Sequence, residues 1–145
     1  MCFEIKRMQP QDANRMAEID RQVFSQPWSE QGFLSALQSP DTLYLIVWKD
    51  DQIIGYCGFL QSFEEADITN VAVKEDWRGL GVGRRMLKEL MDLGKKRGVE
   101  RYTLEVRIGN IAAIKLYESL GFESVGIRKN FYEFPREDAL IMWTS

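Results

Sequence analysis

Hydrophobic and polar positions along this 145-residue chain fall into short blocks that switch between two periods. Residues 3–8 alternate in the manner of a half-buried strand. Pro10 then opens a helix at a position where its missing N–H costs little. Ala13, Met16, Ala17, Ile19 and Val23 give that helix an apolar side. A second, short helix is predicted after Ser29, with Phe33, Leu34 and Leu37 as its stripe. Strand-like segments follow at 42–48, 53–60 and 68–73, and the first two pair as a hairpin across the polar turn Lys49-Asp50-Asp51-Gln52. Met86, Leu87, Leu90 and Leu93 mark a helix over 83–97, stopped at Gly98. Residues 102–106 read as a strand. Asn110 caps a helix that runs to Leu120 and ends at Gly121, and residues 122–127 and 139–143 close the chain as strands. The predicted order is β-α-α-β-β-β-α-β-α-β-β, one mixed α/β sheet with helices covering it. No repeat, low-complexity tract or linker interrupts it, so residues 1–145 read as a single domain.

Composition narrows the chemistry. The apolar fraction of 45% supports a real core and argues against disorder. A net charge of -3 argues against a nucleic-acid footprint. The chain has no histidine. That excludes histidine-based hydrolase triads and the common zinc sites. Acid–base work must then fall to carboxylates, tyrosine, lysine, cysteine or a cofactor. Two cysteines make no disulfide scaffold, which favours a reducing compartment. The charged start, Met1-Cys2-Phe3-Glu4-Ile5-Lys6-Arg7, lacks a signal peptide's apolar run. The longest apolar run, Leu43-Tyr44-Leu45-Ile46-Val47-Trp48, has strand length. A cytoplasmic protein without membrane contact is expected.

Three glycines, Gly79, Gly81 and Gly83, stand between a strand and a helix. Bare backbone there lets N–H groups approach an anion, and the helix start adds partial positive charge. Arg78 and Arg84 flank the turn and offer charge-assisted bonds to phosphate. A tight turn with ordinary surface arginines explains the same residues. A dinucleotide fingerprint fails in both frames, because the required third glycine is Arg84 or Met86. The Gly-Lys-Ser/Thr of a nucleoside-triphosphate loop is absent too. What remains is Arg-x-x-Gly-x-Gly at Arg78, Gly81 and Gly83.

In that turn the sequence resembles the GCN5-related N-acetyltransferase (GNAT) superfamily, where it holds the pyrophosphate of acetyl-coenzyme A. The resemblance extends to Ile68-Thr69-Asn70-Val71-Ala72-Val73 before the turn. It also takes in Leu104-Glu105-Val106-Arg107 and the run from Asn110 through Tyr117 to Gly121-Phe122, and so covers nearly the whole chain. It implies the GNAT fold: a single mixed, mostly antiparallel sheet of about seven strands flanked by about four helices. Pro27-Trp28-Ser29 and Arg128-Lys129-Asn130-Phe131-Tyr132 are similar to the bacterial ribosomal-protein alanine N-terminal acetyltransferases. The tract expected there as Asn-Tyr-Tyr-Pro reads Asn130-Phe131-Tyr132-Glu133, with Pro135 later, in a loop that helps shape the acceptor site of such enzymes.

The resemblance implies acetyl transfer from acetyl-coenzyme A, with no metal, to a primary amine. The expected acceptor is the N-terminus of a protein or peptide, such as a ribosomal protein beginning with alanine. A small amine, a lysine side chain, or a non-catalytic coenzyme A binding module are the alternatives. A monomer or weak dimer is expected. Val71, Ala72 and Val73 would run beside the pantetheine arm. Arg78, Gly79, Leu80, Gly81, Val82, Gly83 and Arg84 would hold the pyrophosphate. Asn110 and Tyr117 would also touch the coenzyme. Trp28, Asn70, Glu105 and Tyr132 would meet the acceptor.

Glu105 lies on a strand expected to be covered on both faces. A carboxylate there is costly unless bonded or open to a cavity, and partial burial would lift its pKa toward that of a useful base. A pair with Arg107, on the same strand face at spacing two, would hold it down instead. The resemblance makes Glu105 the general base and Tyr117 the donor to the departing thiolate. A phenol near about 10 is a weaker acid than a thiol near about 8.5, so a hydrogen bond is the least that Tyr117 supplies. By pattern alone Tyr117 is a core aromatic, and Asn110 a helix cap. Trp28, Ser29 and Phe33 have the spacing of a hydrophobic staple. Cys57 reads as a small core residue without an adjacent base. The acidic run Glu64, Glu65 and Asp67 reads as a solvated turn.

Overall fold

The computed structural model describes residues 2–24 and 27–144; Met1 and Ser145, the ends of the expected domain, lie outside the described residues. Seven strands and four α-helices follow in the expected order. They are β1 (Glu4–Arg7), α1 (Ala13–Val23), α2 (Glu30–Gln38), β2 (Thr42–Lys49), β3 (Gln52–Ser62), β4 (Glu65–Val73), α3 (Val82–Lys96), β5 (Arg101–Arg107), α4 (Ile111–Ser119), β6 (Glu123–Glu133) and β7 (Arg136–Trp143). Pro10 opens a short 3-10 turn ahead of α1 rather than the helix itself. The strands form one sheet in the order β1-β2-β3-β4-β5-β7-β6. Every neighbouring pair is antiparallel except β4 and β5.

Helices cover both faces of the sheet. Val82, Met86, Leu87 and Leu90 of α3 pack with Leu45, Phe59, Leu104, Val106 and Met142 on one face. Ala13, Met16 and Ala17 of α1 and Phe33 of α2 pack with Tyr44, Ile46 and Tyr56 on the other. Covered on both sides, β2 reads as an unbroken apolar run, with Leu43 through Val47 all buried. β5 has buried Tyr102, Leu104 and Val106 alternating with half-buried Thr103, Glu105 and Arg107.

Two departures from regularity build the site. The first is a bulge in β4: Gly58 faces Asn70 and Phe59 faces Ile68, so Thr69 has no partner on β3. One extra residue reverses which side chains face which way. Ala66 and Ile68 pack on the α3 face before it, and Ala72 packs on the α1–α2 face after it. Thr69 and Asn70 are thereby set side by side on the α1–α2 face, where the Tyr44 hydroxyl bonds both at 3.0 Å. The second is the parallel junction, which pairs only Glu65–Arg101, Ala66–Tyr102 and Asp67–Thr103. Beyond Asp67 the two strands part.

The last two strands are longer than the apolar pattern predicts. Residues 128–133, expected as a loop, belong to β6. They carry a three-residue irregularity between Arg128 and Tyr132, where the Asn130 N–H donates to Asp138 Oδ1 at 2.8 Å. The acidic run is not a single solvated turn. Glu64 and Glu65 each bond Arg101 at 3.1 Å, while Asp67 turns inward on β4.

Candidate active site

A cleft of about 1020 Å³ fills the space where β4 and β5 separate. Because these strands are parallel, their C-terminal ends and the helices that follow lie at one end of the gap. Arg78, Gly79 and residues 81–84, ahead of and into α3, and Asn110, ahead of α4, line it there. The opposite side of the sheet contributes Asp20, Trp28, Asp67, Thr69, Asn70, Glu105, Arg107, Phe131 and Tyr132. The cleft therefore joins two chambers through the sheet.

At the first chamber Gly79 and Gly81 have φ of +77° and +85°, and a Cβ at either would meet nothing within 4 Å. Left-handed backbone turns successive N–H groups toward a shared concavity. α3 begins at Gly81 without a side-chain cap, so its first-turn N–H groups are left for a ligand. Gly83 has another use: a Cβ there would lie 3.1 Å from Leu116 Cδ2, so it lets α3 and α4 approach closely. The two arginines are partly committed to protein. Arg78 Nε donates to Val73 O at 2.9 Å, and Arg84 Nη1 donates to Ser119 Oγ at 2.6 Å. Leu80 is 53% exposed and does not line the cleft. Asn110 caps α4, its Oδ1 accepting from Ala113 N at 3.2 Å, and also faces the cleft. Along the wall between these ends, β4 from Ile68 to Val73 has no strand partner on its β5 side. Its free backbone groups suit an extended ligand.

Glu105, from β5, and Tyr117, from α4, both line the cleft. The Glu105 side chain is 23% exposed, and its Oε1 lies 3.7 Å from Arg128 Nε on β6. Arg107 serves the β6–β7 hairpin. Its Nη1 bonds Pro135 O at 2.9 Å and Glu137 Oε1 at 3.2 Å, its Nη2 bonds Phe134 O at 3.1 Å, and its guanidinium lies 4.3 Å from the Tyr132 ring centroid. Tyr117 is buried against Phe122, and that burial pushes its phenol pKa up, so the hydroxyl stays protonated. Cys57 is fully buried with its thiol also pushed up, and its Sγ lies 3.7 Å from Met86 O. It is a core residue, as its pattern predicts.

The second chamber is walled by aromatic groups. The Trp28 ring lies tilted against Phe33 and Tyr44, with centroids 5.3 and 6.2 Å away, while Ser29 caps α2 by accepting from Gly32 N at 3.1 Å. The staple and a cleft-facing position coexist in Trp28. Asn70 is buried, and its Oδ1 accepts from Tyr44 and, at 2.7 Å, from Thr69. Burial pushes the Tyr44 phenol up to about 12, which keeps that donor in place.

Two acidic residues of this chamber escape the sequence reading. Asp20 is 1% exposed, receives the Tyr56 hydroxyl on Oδ1, and accepts from Trp28 N on Oδ2 at 2.7 Å. Burial pushes its carboxyl up to about 6, opposed by the Trp28 N–H. A signal was available, since Ala13, Met16, Ala17 and Asp20 fall at the 3-4-7 spacing of a buried helical stripe. Asp67 has a buried Oδ1 with no hydrogen-bond partner among the described residues. Burial and then the Glu105 charge push its carboxyl up, opposed by Arg128.

Comparison with known proteins agrees with this geometry. The sequence profile of the Acetyltransferase (GNAT) family matches residues 13–122. The [ribosomal protein bS18]-alanine N-acetyltransferase of Escherichia coli K12 is 37% identical over 140 residues, covering 95% of this chain and 94% of that protein. The N-alpha-acetyltransferase RimI of Mycobacterium tuberculosis is 36% identical over 137 residues, covering 90% and 85%. The crystal structure of the Escherichia coli ribosomal-protein-S18-alanine N-acetyltransferase superposes with a TM-score of 0.89 at 36% identity, covering 99% of this chain and 93% of that one. A profile match across most of the chain and relatives at this identity over nearly its full length lead to one conclusion: the chain belongs to the GNAT acetyltransferase family.

Proposed function

We propose that this protein acetylates the α-amine of a protein N-terminus, and that the acceptor is a ribosomal protein beginning with alanine. The observation that carries the reading is the two-chambered cleft, with a backbone anion cradle at one end and a carboxylate beside an aromatic wall at the other. The relatives at 36–37% identity, named for alanine or N-alpha acetylation, support the choice of acceptor.

The residues present fit acetyl-coenzyme A, the donor used across the family. Residues 79–84 would take the pyrophosphate on backbone N–H groups, with the free nitrogens of Arg78 and Arg84 adding charge. The open edge of Val71, Ala72 and Val73 would pair with the pantetheine amides. Acetyl-coenzyme A supplies the acetyl group as an activated thioester.

Glu105 would accept the proton of the incoming ammonium, directly or through one water. An α-amine near about 7.7–8.0 needs only a mild base, whereas a lysine side chain near about 10.4 needs a stronger one. Backbone N–H groups on the open edge of β4 would polarise the acetyl carbonyl. Tyr117, held protonated by burial, would donate a hydrogen bond to the sulfur as the carbon–sulfur bond breaks and the carbon–nitrogen bond forms. Both substrates would be bound together, with the amine attacking the thioester directly: Cys57, the buried cysteine, is sealed in the core and unavailable to carry the acetyl group.

The test is a peptide panel read by mass spectrometry. A peptide beginning with alanine and carrying an internal lysine should gain one acetyl group on its α-amine. The same peptide with a blocked N-terminus should gain none. Equal acetylation of the blocked peptide at lysine would overturn the reading.

A further inference from the structure

Asp67 stands apart from the other polar groups of the cleft. It occupies the last paired position of β4 before the strands part, opposite Thr103, with Glu105 two residues further along β5. The bulge at Thr69 follows it, so Asp67, Thr69 and Asn70 reach the same face of the sheet as Glu105. Thr69 and Asn70 satisfy each other and Tyr44, and Asp20 is satisfied by Tyr56 and Trp28. Asp67 Oδ1 alone is buried with no donor among the described residues. A carboxylate oxygen withdrawn from water without a donor is unfavourable, and strongly so beside a second carboxylate. Arg128 is the cation they share, and it sits on the Glu105 side at 3.7 Å with its side chain 57% exposed. Arg128 thus serves two carboxylates with one partly solvated guanidinium.

We propose that Asp67 is the docking group for the acceptor's amine: its carboxylate holds the cationic ammonium in the second chamber while Glu105 takes the proton. This rests on the amine-acetylation reading above. An ammonium has three N–H donors, enough to bond Asp67 and Glu105 together and to supply the buried Asp67 oxygen with the donor it lacks among the described residues. Once the proton has left and the nitrogen is acylated, the attraction to Asp67 falls, which favours release of the neutral amide product.

The test uses the full chain, an alanine-initiated peptide, and the same peptide with its α-amine replaced by hydrogen as a competitive inhibitor. Asp67→Asn keeps the shape and removes the charge, and Asp67→Ser is a second variant should the amide misplace itself. In either variant the peptide KM should rise about tenfold to a hundredfold, the worth of a charge-assisted hydrogen bond. The KM for acetyl-coenzyme A should stay unchanged, which also reports an intact fold. The des-amino peptide should bind wild type and variants alike. If it weakens in step with the amine peptide, Asp67 only shapes the chamber and the proposal fails. If wild type acetylates the peptide N-terminus and both variants keep the wild-type peptide KM, the docking role is wrong while the acetylation reading stands. If wild type acetylates no amine, the acetylation reading itself falls.

Discussion

Replacing Asp20 with asparagine tests whether the buried acidic group of α1 carries the energetic signature the fold implies. Asp20 is withdrawn from solvent and bonded by the Tyr56 hydroxyl and the Trp28 N–H, with its carboxyl raised from an ordinary 3.8 to about 6. Below pH 3.8 both folded and unfolded chains hold the proton, and the group contributes no pH dependence. Between 3.8 and 6 the folded chain holds a proton that the unfolded chain has lost, so stability falls as pH rises. Above 6 both are ionised and the loss is complete. At about 1.36 kcal/mol per pH unit, that window amounts to a loss of about 3 kcal/mol. Other carboxylates titrate in the same range, so the quantity to read is the difference between wild type and Asp20→Asn in urea denaturation at pH 4, 5, 6 and 7. The asparagine adds a constant penalty, because its amide cannot accept from both Tyr56 and Trp28. The pH-dependent part should move in the variant's favour by about 2.4 kcal/mol from pH 4 to pH 7, because at pH 4 the unfolded chain has already begun to lose the proton. A difference that is flat over that range would refute the burial argument. One that moves against the variant would show that the hydrogen bonds outweigh desolvation.

Gly81→Ala places a side chain at φ +85°, where a Cβ meets no neighbour, so the fold should lose only the left-handed penalty of about 1–2 kcal/mol. The thermal midpoint should drop by a few degrees, and the KM for acetyl-coenzyme A should rise while the peptide KM holds; an unchanged coenzyme KM would show that the turn is structural alone. Tyr117→Phe removes only the hydroxyl of a buried ring, so stability should stay within about 1 kcal/mol while kcat falls about tenfold to a thousandfold. A full wild-type kcat would remove Tyr117 from the chemistry.

The elements that the sequence predicts well are those with a strong one-sided pattern. Met86, Leu87 and Leu90 fix α3, the alternation of Tyr102, Leu104 and Val106 fixes β5, and the Trp28–Ser29–Phe33 spacing fixes the start of α2. β6 is mostly exposed along its length, so Arg128, Lys129 and Asn130 look like loop although their backbone lies within the outer strand. Of the site, the glycine turn and Glu105 are legible because each is a local motif. Asp20 and Tyr56 meet across 36 residues, and Tyr44 and Asn70 across 26, the second pair through a register that depends on the single extra residue at Thr69. No periodicity in Ile68-Thr69-Asn70-Val71 announces that bulge, and Asp67, following Glu64 and Glu65, reads as part of the same solvated turn although it is paired on β4. Arg107 is drawn to the hairpin by Pro135, Phe134 and Glu137, contacts that sequence spacing does not reveal.

In the proposed reaction Glu105 is the group that readies the amine. Turnover of an alanine-initiated peptide by Glu105→Gln, at saturating acetyl-coenzyme A and peptide near neutral pH, measures that claim. Loss of a general base predicts a kcat lower by about a hundredfold to ten-thousandfold with coenzyme binding unchanged. A variant that turns over as fast as the wild type would contradict it.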